Sequence, residues 1–246
     1  LKIPNFTDVV EFYGLERITE AELKNSLARL ELNNKSLLEI NSKKVSNYLT
    51  KLPLIEKAKT KALIFPRRSF KIYIREAQPW AFYRGTIIDQ NLRVLLESRA
   101  KARLYQSPAL DSLYANFYNS RNSDLVNLVS YNALTSDEIK TIKAISDIIE
   151  NDLAIINYQK TKQGKDPELE TINTIKVDRE DNVTLITDNL KFLVGRLNPT
   201  ILARVKRLDA VIPKIIEMGS EKAIEYVDLS LTTDEVILGK LESDIE

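Results

Sequence analysis

The sequence predicts an α+β protein in two domains, and three observations carry that prediction. Between Leu52 and Pro79, two extended runs, Ile55 to Phe65 and Ser69 to Glu76, flank the turn Pro66-Arg67-Arg68 in a β-hairpin pattern. Two short amphipathic helical stripes precede this ribbon. Three further extended runs come after it, behind one long helical stripe. At 246 residues the chain can hold two ordinary domains, each with its own core. The reading divides it at 1–79 and 80–246.

In the first domain, Val9 to Tyr13 is an apolar run stopped by Gly14 and reads as a strand. Thr19 and Glu22 have capping-box spacing, so each can satisfy the other's backbone N–H at a helix start. Leu23, Leu27 and Leu30 form the apolar stripe of that helix. Asn33-Asn34-Lys35 breaks it, and Asn41 or Ser42 caps a second helix carrying Val45, Leu49 and Leu52. In the ribbon that follows, Phe70, Ile72 and Ile74 alternate with Lys71, Tyr73 and Arg75, giving one apolar and one basic, polar face. Two strands alone are marginal in water, so two helices on one side of a three-stranded sheet is the economical packing.

Trp80, Phe82 and Tyr83 read as a cluster at the domain junction, where large aromatics bury area. Ile87 to Leu96 reads as a strand or hairpin turning at Asp89-Gln90-Asn91. Pro108 can open a helix with Leu110, Leu113, Tyr114, Phe117 and Tyr118 on one side, and Asn119 to Asn127 reads as loop. Thr135 or Ser136 caps a long helix whose stripe runs Ile139, Ile142, Ile145, Ile149, Leu153 and Ile156. Lys160 to Glu168 reads as a charged turn. Ile172 to Val177, Val183 to Thr187 and Leu190 to Val194 are strands, the last two joined by Asp188-Asn189. From Asn198-Pro199 to Gly219, the spacing of Ile201, Val205, Leu208, Ile212 and Ile215 predicts one helix, bent near its end by Pro213.

Composition narrows the chemistry. With 36 basic and 35 acidic residues and no conspicuous block of like charge, the footprint of a nucleic-acid binder is missing. The absence of Cys and His removes thiol nucleophiles, the commonest metal ligand and the commonest general base. Six glycines without a Gly-rich run offer no phosphate-cradling loop. Asp178, Glu180 and Asp181 lack the spacing of a calcium loop and read as a solvated turn, while Asp137 and Glu138 complement a helix dipole. No nucleophile, base and oxyanion donors assemble, so the chain reads as a non-enzyme without cofactor or metal. No apolar run approaches the ~20 residues that cross a bilayer. Because the chain opens on Leu, an upstream part that could carry an anchor is expected to be missing.

The run GLERITEAEL, followed by LLEINSKKVSNYLTKLPLIEKAKTKALIFPRRSFKIYIREAQPWA, resembles a POTRA domain, more narrowly that of the bacterial cell-division family FtsQ, called DivIB in Gram-positive bacteria. Leu52-Pro53-Leu54-Ile55, Ala58, Pro66, Ile72, Ile74, Arg75-Glu76, Pro79 and Ile88-Asp89 fall on the family's positions. Leu54 stands where Trp is common, Ala77 precedes Gln78, and Leu92 stands where Gly is usual. Near the end, Glu225-Tyr226-Val227-Asp228-Leu229-Ser230 is similar to the family's closing "yiDLR" strand, with Ser230 for Arg.

The resemblance implies a POTRA domain of order β-α-α-β-β over 1–79 and an FtsQ-type β domain with a mixed or antiparallel sheet over 80–246. It implies a single-pass scaffold on the extracytoplasmic face of the cytoplasmic membrane, at the division septum. Its partners there are the small bitopic proteins of FtsB and FtsL type, received by strand addition at the late strands. Carried over, Tyr226, Leu229, Ser230, Leu231, Thr232, Thr233 and Val236 lie at that docking edge, and Arg179 meets an acidic partner residue. The other reading of the same module is a POTRA-containing chaperone of an outer-membrane insertion or secretion system.

Overall fold

The computed structural model describes residues 2–64, 68–96, 125–162, 171–213, 215, 224–231 and 236–239. Its class is the α+β expected: among the described residues four α-helices accompany a three-stranded sheet and a larger mixed sheet. The chain divides into two units, Leu1–Trp80 with Gly85–Arg121 and Ala81–Arg84 with Asn122–Glu246. The helix expected from Pro108 lies outside the described residues. No described helix is long and apolar enough to cross a membrane.

In the first unit a 3-10 turn, Phe6–Val9, leads into strand β1 (Val10–Tyr13). Helices α1 (Glu20–Ala28) and α2 (Ser42–Leu49) follow, then strands β2 (Ile55–Leu63) and β3 (Ser69–Glu76). β3 is central, parallel to β1 with Val10 opposite Phe70 and antiparallel to β2 with Ala58 opposite Ile74. Phe70 and Ile72 are wholly buried, as are Leu23 and Leu27 of α1 and Val45 and Leu49 of α2. The capping box forms as the spacing predicts: Thr19 N–H donates to Glu22 Oε2 at 2.8 Å and Glu22 N–H to Thr19 Oγ1 at 3.3 Å. Helix α2 is fastened to β2 by two hydroxyls: Ser46 Oγ donates to the Ala58 carbonyl, and Thr60 Oγ1 donates to the Ser42 carbonyl at 2.9 Å.

The turn from β1 into α1 rests on two residues. Gly14 has φ +80°, and a Cβ there would sit 2.3 Å from the Ile74 carbonyl oxygen, so only glycine lets the chain pass β3. Glu76, at the end of β3, is 3% exposed. Its carboxyl oxygens accept from the backbone N–H groups of Glu16 (2.8 Å), Arg17 (2.9 Å) and Ile18 (3.0 Å). A buried carboxyl without partners is costly, and here three backbone donors satisfy it.

Strands β5 (Thr86–Asp89) and β6 (Val94–Leu96) make a hairpin in the first unit. Asp89 is fully buried at its turn and accepts from Asn91 N–H (2.9 Å), Arg93 N–H (2.7 Å) and Arg93 Nε (2.8 Å). Leu92 holds φ +62°, a left-handed conformation that favours glycine.

The second unit uses the end of β4 (Pro79–Tyr83) together with β7 (Val126–Ser130), β8 (Thr174–Val177), β9 (Asn182–Ile186), β10 (Lys191–Arg196), β11 (Tyr226–Asp228) and β12 (Ile237–Gly239). Within it the sheet runs β12-β11-β10-β9-β8-β7-β4. β4, β7 and β8 are parallel neighbours, β8 to β10 antiparallel, β10 and β11 parallel, and β12 returns antiparallel on β11. Helix α3 (Ser136–Lys162) buries Ile142, Ile145, Ile149, Leu153 and Ile156 of the stripe expected of it, while Ile139 in its first turn is half-buried.

Two expectations are overturned here. Val126 and Asn127, read as the end of a loop, open the central strand β7, where Val126 and Leu128 are buried and Asn127 N–H donates to the Asn173 carbonyl. The single helix expected from Pro199 is instead a short α4 (Ile201–Val205) running into a 3-10 turn, Lys206–Ala210. Arg207 Nε donates to the Arg204 carbonyl at 3.3 Å, and the two guanidinium groups reach away to the carbonyls of Ser230 and Leu229, just past β11. The apolar stripe survives the break, since Ile201, Val205, Leu208, Ile212 and Ile215 are all buried.

Candidate docking edge

Of the expected docking residues, Tyr226, Leu229, Ser230, Leu231 and Val236 fall around β11 and β12, and the sheet order sorts them. β11 has β10 on one side and β12 on the other, whereas β12 has a strand neighbour on one side only among the described residues. An edge of this kind leaves backbone N–H and C=O groups on its outer side open to another chain.

Tyr226 begins β11, opposite Lys191 and Gly239. Its ring lies across Gly239, where a Cβ would come within 2.4 Å of the ring and its hydroxyl. An aromatic laid over a strand glycine pins cross-strand register, so Tyr226 positions β12. Leu229 is fully buried and donates its N–H to the Leu193 carbonyl at 2.8 Å. Ser230 N–H is held by Asp228 Oδ1 at 2.8 Å.

The carbonyls of Leu229, Ser230 and Leu231 already have partners within the chain. Arg207 Nη2 donates to Leu229 at 3.0 Å and Leu231 at 2.7 Å, and Arg204 Nη1 donates to Ser230 at 3.3 Å. Arg204 Nη2 also holds the Arg196 carbonyl. Burial, with the Arg207 charge beside it, holds Arg204 below the ordinary arginine value. Gly195, at φ +80°, makes room for this arrangement, since a Cβ there would meet Ser230 Cβ at 2.8 Å and Arg204 Nη1 at 3.0 Å. The pair thus closes the end of β11 against main-chain pairing. Val236 leads into β12 half-buried, and Ile237 is 44% exposed. Thr232 and Thr233 lie outside the described residues.

Arg179 sits in the β8–β9 turn with its guanidinium carbon 4.4 Å from the centre of the exposed Tyr131 ring, a cation–π contact. Strand directions bring this turn, Leu229 to Leu231 and Val236 to the same end of the sheet. Strands β9 and β10 stand between Arg179 and β11, so at about 4.8 Å per strand the separation is on the order of 14 Å. In that turn Asp178 accepts from Glu180 N–H (2.9 Å), Asn182 N–H (2.8 Å) and Asn182 Nδ2 (2.9 Å), and the Asn182 side chain first, then these N–H groups, hold its carboxyl below the usual range. Among the described residues no group of three His, Cys, Asp or Glu side chains could hold a metal ion.

Sequence reasoning passes over Arg204, Arg207, Ile237 and Gly239. The two arginines read as the polar side of a helix. Gly239, alone at the end of the run Val236-Ile237-Leu238, is the signal that could have marked a close cross-strand approach. Comparison with family models finds no match, and comparison with curated proteins finds none either.

Proposed function

We propose that this chain is a non-enzymatic scaffold of the bacterial division machinery, of FtsQ/DivIB type, acting on the extracytoplasmic face of the cytoplasmic membrane at the septum. In this reading the first unit is a POTRA domain, whose order would be the strand, two helices and two strands described above, and the second is the β domain that receives FtsB-type and FtsL-type partners. The observation that carries it is the outer side of β12, which has no strand neighbour among the described residues. A partner segment adding there gains main-chain hydrogen bonds worth about 1 kcal/mol each. Tyr226 holds β12 in register through Gly239, and Arg179 offers its charge to an acidic partner residue at one end of the same sheet.

The test is a pull-down of the intact chain with soluble FtsB-type and FtsL-type segments. Recovery is expected to fall to background when the chain stops after Leu231, which deletes β12. Leu238→Pro, which removes an N–H from the outer side of β12 and leaves the pairs of Ile237 and Gly239 with β11, is expected to weaken recovery as well. Circular dichroism reports whether each variant is folded. A folded truncation that recovers the partners as well as the intact chain rejects the reading.

A further inference from the structure

The charge of the chain is unevenly placed. Residues 1–80 carry fifteen Lys and Arg against nine Asp and Glu, although the whole chain is only +1. Part of this surplus gathers on one surface. The helices cover one face of the small sheet, and the other face is open to solvent.

On that open face cross-strand register makes rows: Lys61 beside Lys71 beside Glu11, Lys59 beside Tyr73 beside Tyr13, and Lys57 beside Arg75. Lys57, Lys59, Lys61 and Arg75 are exposed. Alternate residues along a strand are about 7 Å apart and cross-strand neighbours about 5 Å, so the cations form a flat lattice. Glu11 pairs with Lys71 at 3.6 Å, and Glu56 pairs with Arg75 at 3.6 Å and Lys57 at 4.0 Å. Lys59 and Lys61 have no carboxylate partner among the described residues, and five cations against two carboxylates leave the face positive. At the tip of the ribbon Ile64 is 55% exposed, and Arg68 is exposed across the turn.

We propose that this open sheet face docks on an anionic lipid surface. It uses the first unit alone and does not depend on partner docking at β12. Four of the five cations are lysines, compact point charges without the forked geometry that recognises one phosphate. Spread over a plane, they match a surface that presents anions everywhere better than a chain that presents them along a line. The aromatic pair points the same way. Tyr13 and Tyr73 stack on each other with ring centres 5.1 Å apart, and Lys71 Nζ lies 5.3 Å from the Tyr13 ring centre. With those ring faces engaged, the pair is a poor platform for nucleic-acid bases. The two side chains are still 40% and 45% exposed, which suits the headgroup layer where tyrosine is enriched.

The test is co-sedimentation of the full chain with phosphatidylcholine vesicles, with and without phosphatidylglycerol. Binding is expected only to the anionic vesicles and is expected to weaken as salt rises. Lys59→Ala with Lys61→Ala is expected to lower the partition coefficient by about 25-fold, about fivefold per lysine. Lys43→Ala with Lys44→Ala removes the same charge from exposed positions of α2, on the covered side of the sheet. That variant is expected to bind as the parent does. Equal binding to both vesicle types, or equal loss in the two variants, overturns the proposal. So does binding of a single-stranded oligonucleotide or polyglutamate that needs Lys59 and Lys61 while vesicles are ignored.

Discussion

In the first unit the buried acids face donors: Glu76, for one, takes three backbone N–H groups from the turn before α1. In the second unit the buried acid faces another acid. Asp152 of α3 is 4% exposed and lies against Asp209 of the 3-10 turn, with its Oδ2 lacking a hydrogen-bond partner among the described residues. Burial first, then the Asp209 charge and a hydrogen bond with it, push the Asp152 carboxyl up to about 6. The same cost of burying a carboxyl is met in one place by backbone geometry and in the other by a raised pKa, which keeps the proton on Asp152 only below about pH 6. The first solution locks a turn permanently. The second makes the contact between α3 and the 3-10 turn sensitive to pH.

Removing the donors' acceptor breaks this comparison most sharply. Glu76→Ala strands three N–H groups near a helix start, each worth about 1–3 kcal/mol, and is expected to cost about 4 kcal/mol in urea unfolding. Glu76→Gln, whose amide oxygen still accepts, is expected to cost about half as much. Equal losses in the two variants would mean that packing, rather than hydrogen bonding, sets the role of Glu76.

Asp152 gives the next effect. An acid whose folded-state pKa lies above its unfolded value of about 4 binds more protons folded than unfolded. Its contribution to stability is therefore present in full below about pH 4 and lost as pH rises to about 6. Asp152→Asn, which keeps a donor toward Asp209, is expected to match the parent near pH 4 and exceed it above pH 6 by on the order of 2 kcal/mol. Parallel stability curves for the two proteins between pH 4 and 7 would remove the contrast between the units.

The smallest effect concerns the turn after β5. Leu92 at φ +62° carries left-handed strain that glycine lacks. Leu92→Gly is expected to raise thermal stability by up to about 1 kcal/mol, and an unchanged or lower melting temperature would mean that the Asp89 hydrogen bonds already absorb the strain.

Much of the fold was readable because the signals lie within a few residues of one another. The Thr19 and Glu22 capping box, the Asn41 cap of α2 and the α3 stripe each need only helical periodicity and one side-chain hydrogen bond. β7 was hidden because Asn127 and the polar residues before it read as loop, and only the neighbouring strands on both sides make Val126 and Leu128 a core. In the segment from Ile201 the apolar stripe was legible, but not the break in the helix nor the bonds of Arg204 and Arg207 to Leu229, Ser230 and Leu231, more than twenty residues away. The local charge surplus of residues 1–80 was present in the sequence yet obscured by a balanced total.

By itself the sequence determined the class, the alternation of faces in the ribbon and the caps of the helices. Each follows from spacing of two to four residues, the scale on which backbone geometry repeats. The tertiary structure decided which strand is the edge, which carbonyls of Leu229 to Leu231 are already occupied, and which face of the small sheet is open. Those depend on register between segments far apart in the chain, and a one-residue slip in a strand would exchange every inward and outward side chain.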